Sequence, residues 1–200
     1  MGASNLEVIL DNAIRHTEKI VTLAINQKGF LRRIEIFGYL RVHFFESLED
    51  ECYAHNHKQM FSASVLLGGY DHTVYKSSKD GTSQQIYVKT RDGYIQTERR
   101  ATISKERTDR IRQNCGYLLG SEVLHSLSKL MPDTTTLFVK SMNPALANED
   151  PIFLMDREPV QTADIKLSIE ETRYLLFWLK MRLFPCKLNI KEEILRLHVA

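Results

Sequence analysis

Residues 89–120, KTRDGYIQTERRATISKERTDRIRQNCGYLLG, decide how this 200-residue chain is read. The stretch begins as the last hairpin of a small sheet, closed at Asp92-Gly93. It then reads as a long central helix. Ser104 is a candidate N-cap, and Pro132 stops the run after Met131. Ile103, Ile111, Cys115, Leu118, Leu119, Val123, Leu127 and Leu130 supply a buried face. Gly116 and Gly120 each cost about 1 kcal/mol of helix propensity relative to Ala. Either the helix breaks near Gly116, or another backbone packs close there.

Upstream, Asp80-Gly81 and Asp92-Gly93 separate three extended runs, Thr73–Lys76, Gln84–Thr90 and Tyr94–Ile103. Asp-Gly tolerates the positive φ of tight hairpins, so residues 73–103 read as a β-meander. Before it, a capping box at Ser4 and Glu7 opens a helix extending to about Gln27. Phe30–Phe45 alternates as one strand, Glu46–Met60 reads as a short exposed helix, and Phe61–Leu67 as a strand. Downstream come a strand at Thr134–Met142 and a proline-marked loop with a short strand at Ile152–Met155. A helix opened by Ser168 and Glu171 is closed by Pro185, and a short last helix starts at Asn189. The expectation is a single α+β domain over residues 1–200. Its antiparallel sheet packs with N-terminal, central and C-terminal helices.

The longest apolar run, Tyr174–Leu179, falls far short of the ~18 residues that span a bilayer. The first residues lack a basic signal-peptide region. Three separated cysteines, with no CxxC spacing, point to a reducing compartment, cytoplasmic or nuclear.

The net charge of +2 is unevenly spread. Residues 76–112 hold ten basic and five acidic side chains, which suits a polyanionic partner. The leading expectation is a non-enzymatic binding or assembly protein that contacts nucleic-acid phosphates. Lys89, Arg91, Arg107 and Arg112 are the neutralising residues, with Tyr87 and Tyr94 stacking on bases. Self-association would use the apolar strand or the 174–184 helix. The alternative is a matrix-type assembly protein whose basic flank meets an anionic membrane surface.

A third class is a metal-dependent or cysteine hydrolase. Cys52-x-x-His55-x-His57, with Asp71-His72 downstream, offers soft ligands. The spacing fits no zinc finger, and on a helix His55 and His57 point about 200° apart. The segment therefore reads as a solvated loop with no metal or cofactor. Cys115 reads as a core residue, and no nucleophile elbow, P-loop or dinucleotide motif is present, so no catalytic residue is assigned.

Overall fold

The computed structural model describes residues 3–27, 30–46, 48, 53–90, 93–143, 145, 151–155 and 164–185. Its order is α1 (Ala3–Arg15), α2 (Thr17–Ile20), β1 (Val21–Gln27), β2 (Leu31–Ile36), β3 (Leu40–Phe45), β4 (Tyr53–His55) and β5 (Phe61–Leu67). There follow β6 (Gly69–Thr90), β7 (Gly93–Arg112), β8 (Gly116–Leu119), β9 (His125–Ser128), β10 (Thr135–Lys140), β11 (Ile152–Met155), β12 (Ile165–Lys166) and α3 (Ile169–Leu183).

The helix-rich α+β expectation is overturned: the chain is mostly strand, in two antiparallel sheets with three short helices among the described residues. One sheet has the order β12-β1-β2-β3-β10-β5-β8, the other β11-β4-β9-β6-β7. The central helix is absent. Residues 104–112 continue β7, paired with β6 from Gly69↔Arg112 to Thr90↔Gly93. Beyond a turn, β8 and β9 join different sheets. Charged residues along β7 make cross-strand contacts. Arg110 Nη1 lies 2.8 Å from Asp71 Oδ1 on the facing strand.

Gly116 has the other role its spacing allowed. A Cβ there would sit 2.5 Å from the Ala63 carbonyl oxygen, so the β5–β8 pair requires its missing side chain. Cys115 is exposed in the turn rather than buried on a helix face.

Asp80-Gly81 does not reverse the chain. Ser77 and Thr82 both register with Ile103, so residues 78–81 bulge out of a continuing strand. A bulge bends the strand that carries it. The first half of β6 pairs with β9, and its second half pairs with β11, which also pairs with β4. The second sheet thereby curls into a ring filled by Ala54, Ile86, Ile103 and Leu154.

The single strand expected over 30–45 is a hairpin, β2–β3, turning at Phe37-Gly38, both with positive φ. The N-terminal helix stops at Arg15, and residues 21–27 form β1 instead. Where a short exposed helix is expected over 46–60, the described residues from 53 on form β4 and an extended segment. The expected last helix after Asn189 lies outside the described residues.

Alternation along β3 divides its side chains. Leu40, Val42 and Phe44 face a core shared with α1 and α3, through Leu10, Leu176 and Leu179. The Ser168–Glu171 capping box forms: Ser168 Oγ accepts from the Glu171 N–H at 3.1 Å, and Glu171 Oε2 accepts from the Ser168 N–H at 2.9 Å. Lys180 Nζ meets Asp11 Oδ1 at 2.6 Å and joins the two helices. On the other face of this sheet, Val65 and Phe45 meet Tyr70 and Leu127 of the curled sheet. Phe177, Trp178, Leu183 and Phe184 pack against the core around Leu10 and Leu176, with Trp178 edge-on to Phe44, while Tyr174 stays exposed. No helix of the described residues is long and apolar enough to cross a membrane.

Two adjacent leucines separate a strand from a helix. Leu118 is 66% exposed and Leu119 is 3% exposed. Leu119→Ala is expected to lower unfolding free energy by about 2–5 kcal/mol. Leu118→Ala should stay within about 0.5 kcal/mol, as for an ordinary surface position. Urea denaturation of the two variants checks this, and equal losses would restore the helical reading.

Candidate metal centre

Antiparallel register brings the histidines together. His55 ends β4 directly opposite His125, the first residue of β9. On the other side of β9, Val74 faces His125 and His72 faces Leu127, so His72 is the diagonal neighbour of His125. His57, two residues beyond His55 in extended chain, comes back to the same face. Asn56 between them fixes the segment. Its Oδ1 accepts from the Ile152 N–H at 2.7 Å, and its N–H donates to the Ile152 carbonyl at 3.2 Å. The His57 N–H donates to the Ser121 carbonyl at 3.1 Å.

One ligand nitrogen from each of His55, His57 and His125 lies within 4.8 Å of the other two. His57 Nε2 is 2.8 Å from His125 Nε2, and His125 Nδ1 is 3.0 Å from His72 Nε2. His72 stacks on Tyr117, with ring centres 4.1 Å apart. His55 stacks on Phe153 and His57 lies edge-on to Phe61. His55, His72 and His125 are buried and His57 is half-buried, so the solvated-loop expectation is corrected.

The environment favours the neutral form of His57, His72 and His125. Burial, then the neighbouring imidazoles, pushes His125 well below 6.5. Burial, then His55 and Arg41, does the same for His57. Burial lowers His72 to about 4, with Asp109 opposing and Arg107 assisting. A neutral imidazole is the form that ligates a metal. Three imidazole donors around a tetrahedral ion, at the usual 2.0–2.1 Å, stand about 3.3 Å apart; here the His57 and His125 nitrogens are 2.8 Å apart and all three lie within 4.8 Å, so seating an ion requires the rings to shift.

Sequence reading found His55, His57 and His72 but missed their convergence and missed His125. The signal was His-x-His itself: in an extended chain those residues share a face, whereas on a helix they diverge. His125 was hidden inside the supposed central helix. Cys52 lies outside the described residues.

The residues expected to contact nucleic acid are only partly described. Arg91 lies outside the described residues, and of Lys89 only the backbone, paired with Tyr94 in the ribbon, is described. Tyr87 is 5% exposed, which leaves no ring face for a base. Tyr94 is half-buried, edge-on to Phe153. Arg107 and Arg112 are exposed on opposite faces of β7, and Arg107 Nε is 3.1 Å from Asp109.

No protein-family model and no curated protein matches the chain. Among solved structures it is similar to the Drosophila melanogaster CENP-C cupin domain. The identity is 7% and the TM-score 0.40, over 70% of this chain and 99% of that one. It is likewise similar to Drosophila melanogaster CENP-C bound to CAL1, at 8% identity and a TM-score of 0.40, over 69% and 98%. Likeness this distant carries no argument about this chain.

The depressed histidines set a pH dependence. The unfolded chain takes up protons near 6.5, while folded His72 does so only near 4 and His57 and His125 lie well below 6.5. Their contribution is therefore complete above about pH 6.5 and is lost as pH falls towards 4. Each adds up to about 1.4 kcal/mol per pH unit to the slope. Metal-free protein unfolded in urea at stepped pH should lose stability across that window. A flat profile from pH 7 to 4 would contradict the buried neutral cluster.

Proposed function

We propose that the protein binds a divalent transition-metal ion on His55, His57 and His125, and acts on a small molecule at the ion's open coordination positions. The observation that carries this reading is the convergence of three imidazole nitrogens within 4.8 Å in the interior. All-imidazole sets suit zinc, iron, nickel and copper. Three protein ligands leave at least one position for water or substrate, as catalytic rather than structural sites do. His72 adds a second line of support. With His125 ligating through Nε2, its Nδ1–H donates to His72 Nε2, which fixes the tautomer and orients the ring.

An ion held by His55, His57 and His125 would supply Lewis acidity, or an activated water, at that position. The chain's own contribution is orientation and exclusion of water. Asn56 anchors the ligand-bearing segment, while Phe61 and Phe153 pack against His57 and His55. Tyr117, stacked on His72, lies 3.3 Å from Tyr70 through the two hydroxyls.

Purified protein incubated in turn with zinc, ferrous, nickel and manganous ions, then desalted, should retain one equivalent of at least one of them by elemental analysis. His57→Ala and His125→Ala should lose that equivalent. His72→Phe should weaken affinity about 10–100-fold, as loss of an outer-shell partner does. Wild-type protein that retains none of these ions sinks the reading.

A second reading, contact with a polyanion, is supported by one observation. Strand β7 is an edge of the curled sheet, and Lys105–Arg110 along it are all exposed. Phosphate neutralisation by Arg107, Arg112 and their neighbours gives affinity that falls steeply with salt. In a filter-binding titration, Arg107→Ala with Arg112→Ala should reduce the salt slope by about 2. No affinity at low salt removes this reading.

A further inference from the structure

A small cleft of about 70 Å³ opens beside the histidine cluster, lined by Arg41, His43, His57, Lys58, Gln59 and Lys140, with Phe61 and Phe138 as apolar wall. We propose that this cleft binds a compact oxyanion, a short carboxylate or an inorganic oxoanion, and holds it against the metal position. The proposal rests on the metal reading for what the anion meets, because His57 belongs to both the cleft and the ligand set.

Charge argues for the occupant. Three of the lining side chains are basic, and none is acidic. The carboxylate that reaches them from outside the lining is Glu35. Its Oε2 lies 3.1 Å from Arg41 Nη2 and 2.8 Å from Lys140 Nζ. Burial alone would raise the Glu35 carboxyl, but the hydrogen bonds from Lys140 and Arg41 outweigh it and hold it low. One carboxylate thus serves two cations through one oxygen, and Lys58 adds a third, exposed cation.

Unmet hydrogen-bonding capacity points the same way. Arg41 Nε is buried with no hydrogen-bond partner among the described residues, and so is His43 Nε2. A buried guanidinium N–H left unpaired costs about 1–3 kcal/mol or more, so such groups ordinarily meet an acceptor. A guanidinium suits the planar fork of a carboxylate and the oxygens of phosphate alike.

Size limits the ligand. At about 10–15 Å³ per water-sized position, the cleft admits roughly five to seven such positions. That suits a seated anionic group of about this many non-hydrogen atoms or slightly fewer. Phe138, whose ring centre lies 4.4 Å from that of His43, gives a short carbon skeleton an apolar wall.

The test uses metal-stripped protein, so that it does not depend on the ion. Pyruvate, acetate and inorganic phosphate are titrated separately by calorimetry at constant ionic strength, with chloride as control. Saturable one-to-one binding of at least one is expected; pyruvate or acetate alone identifies a carboxylate site, phosphate alone an oxoanion site. Arg41→Gln should weaken binding about 10–100-fold, the range of a charge-assisted hydrogen bond. Lys58→Ala, at an exposed side chain whose loss leaves the fold intact, should weaken it about 2–5-fold. The proposal is overturned if none of the three anions saturates, or if Lys58→Ala and folded Arg41→Gln both bind as wild type does. Repeating the titrations on metal-loaded protein separates the two readings. Anion binding without metal loading removes the ion and keeps the cleft, whereas metal loading without anion binding removes the cleft alone.

Discussion

Everything at the site depends on the register of one four-residue strand. β9 is held between β4 and β6, and its first residue, His125, is fixed opposite His55 on one side and Val74 on the other. Side chains alternate along a strand, so a slip by one residue would turn His125 away from His57 and put Ser126 in its place. The curl of the second sheet protects the register. With β6 bent at residues 78–81, β11 closes the ring against β4, and β4 cannot shift without breaking pairs on both of its sides. The long bent strand is therefore the structural cause of the histidine cluster, although none of its bulged residues approaches it.

The cluster is costly as a purely structural feature. A row of imidazoles in a protein interior gives up hydration and gains two nitrogen–nitrogen contacts in return. Each contact needs one donor, and neutral His125 carries one ring proton, so it donates to one neighbour and accepts from the other. Either direction satisfies both contacts, and the free chain has no reason to prefer one. A cation at the His57–His125 end removes that degeneracy, because the lone pair of His125 Nε2 must then face the ion and its proton must face His72. The arrangement gains a unique state from a ligand, as expected of a binding site and not of a core that packing alone determines.

The outer elements were legible in the sequence because their signals are local. The Ser168 capping box and the strand at 61–67 appear as read, and the β-rich run expected over Thr134–Met142 forms a shorter strand, Thr135–Lys140. Residues 104–112 misled because their charges sit at helical spacing and their apolar residues are sparse. Lys105 and Asp109 pair equally well on a helix, yet in the ribbon Asp109 stands opposite His72 and Arg110 reaches Asp71. An exposed edge strand needs few apolar residues and benefits from charges that discourage further pairing, so it carries little of the alternation that announces a strand. The site was harder still. His55 and His57 were visible, but His72 and His125 join them through pairings that span many residues, and no local spacing encodes these.

The same physics ranks the two concentrations of positive charge. Sequence drew attention to the ribbon, where the cations are numerous and exposed. Exposed cations are screened by water and salt, and Arg107 already has Asp109 beside it. Near the histidines the cations are fewer, but Arg41 and Lys140 are largely withdrawn from solvent and share a single carboxylate. An interior cation that is only half neutralised acts on its surroundings far more strongly than a solvated one, because the medium between it and a ligand screens less. Its field also falls on the imidazoles: Arg41 helps to depress His57 and His43, which keeps both rings in the neutral form. Arg41 thus couples the two halves of the site, attracting an anion on one side while keeping a metal ligand deprotonated on the other.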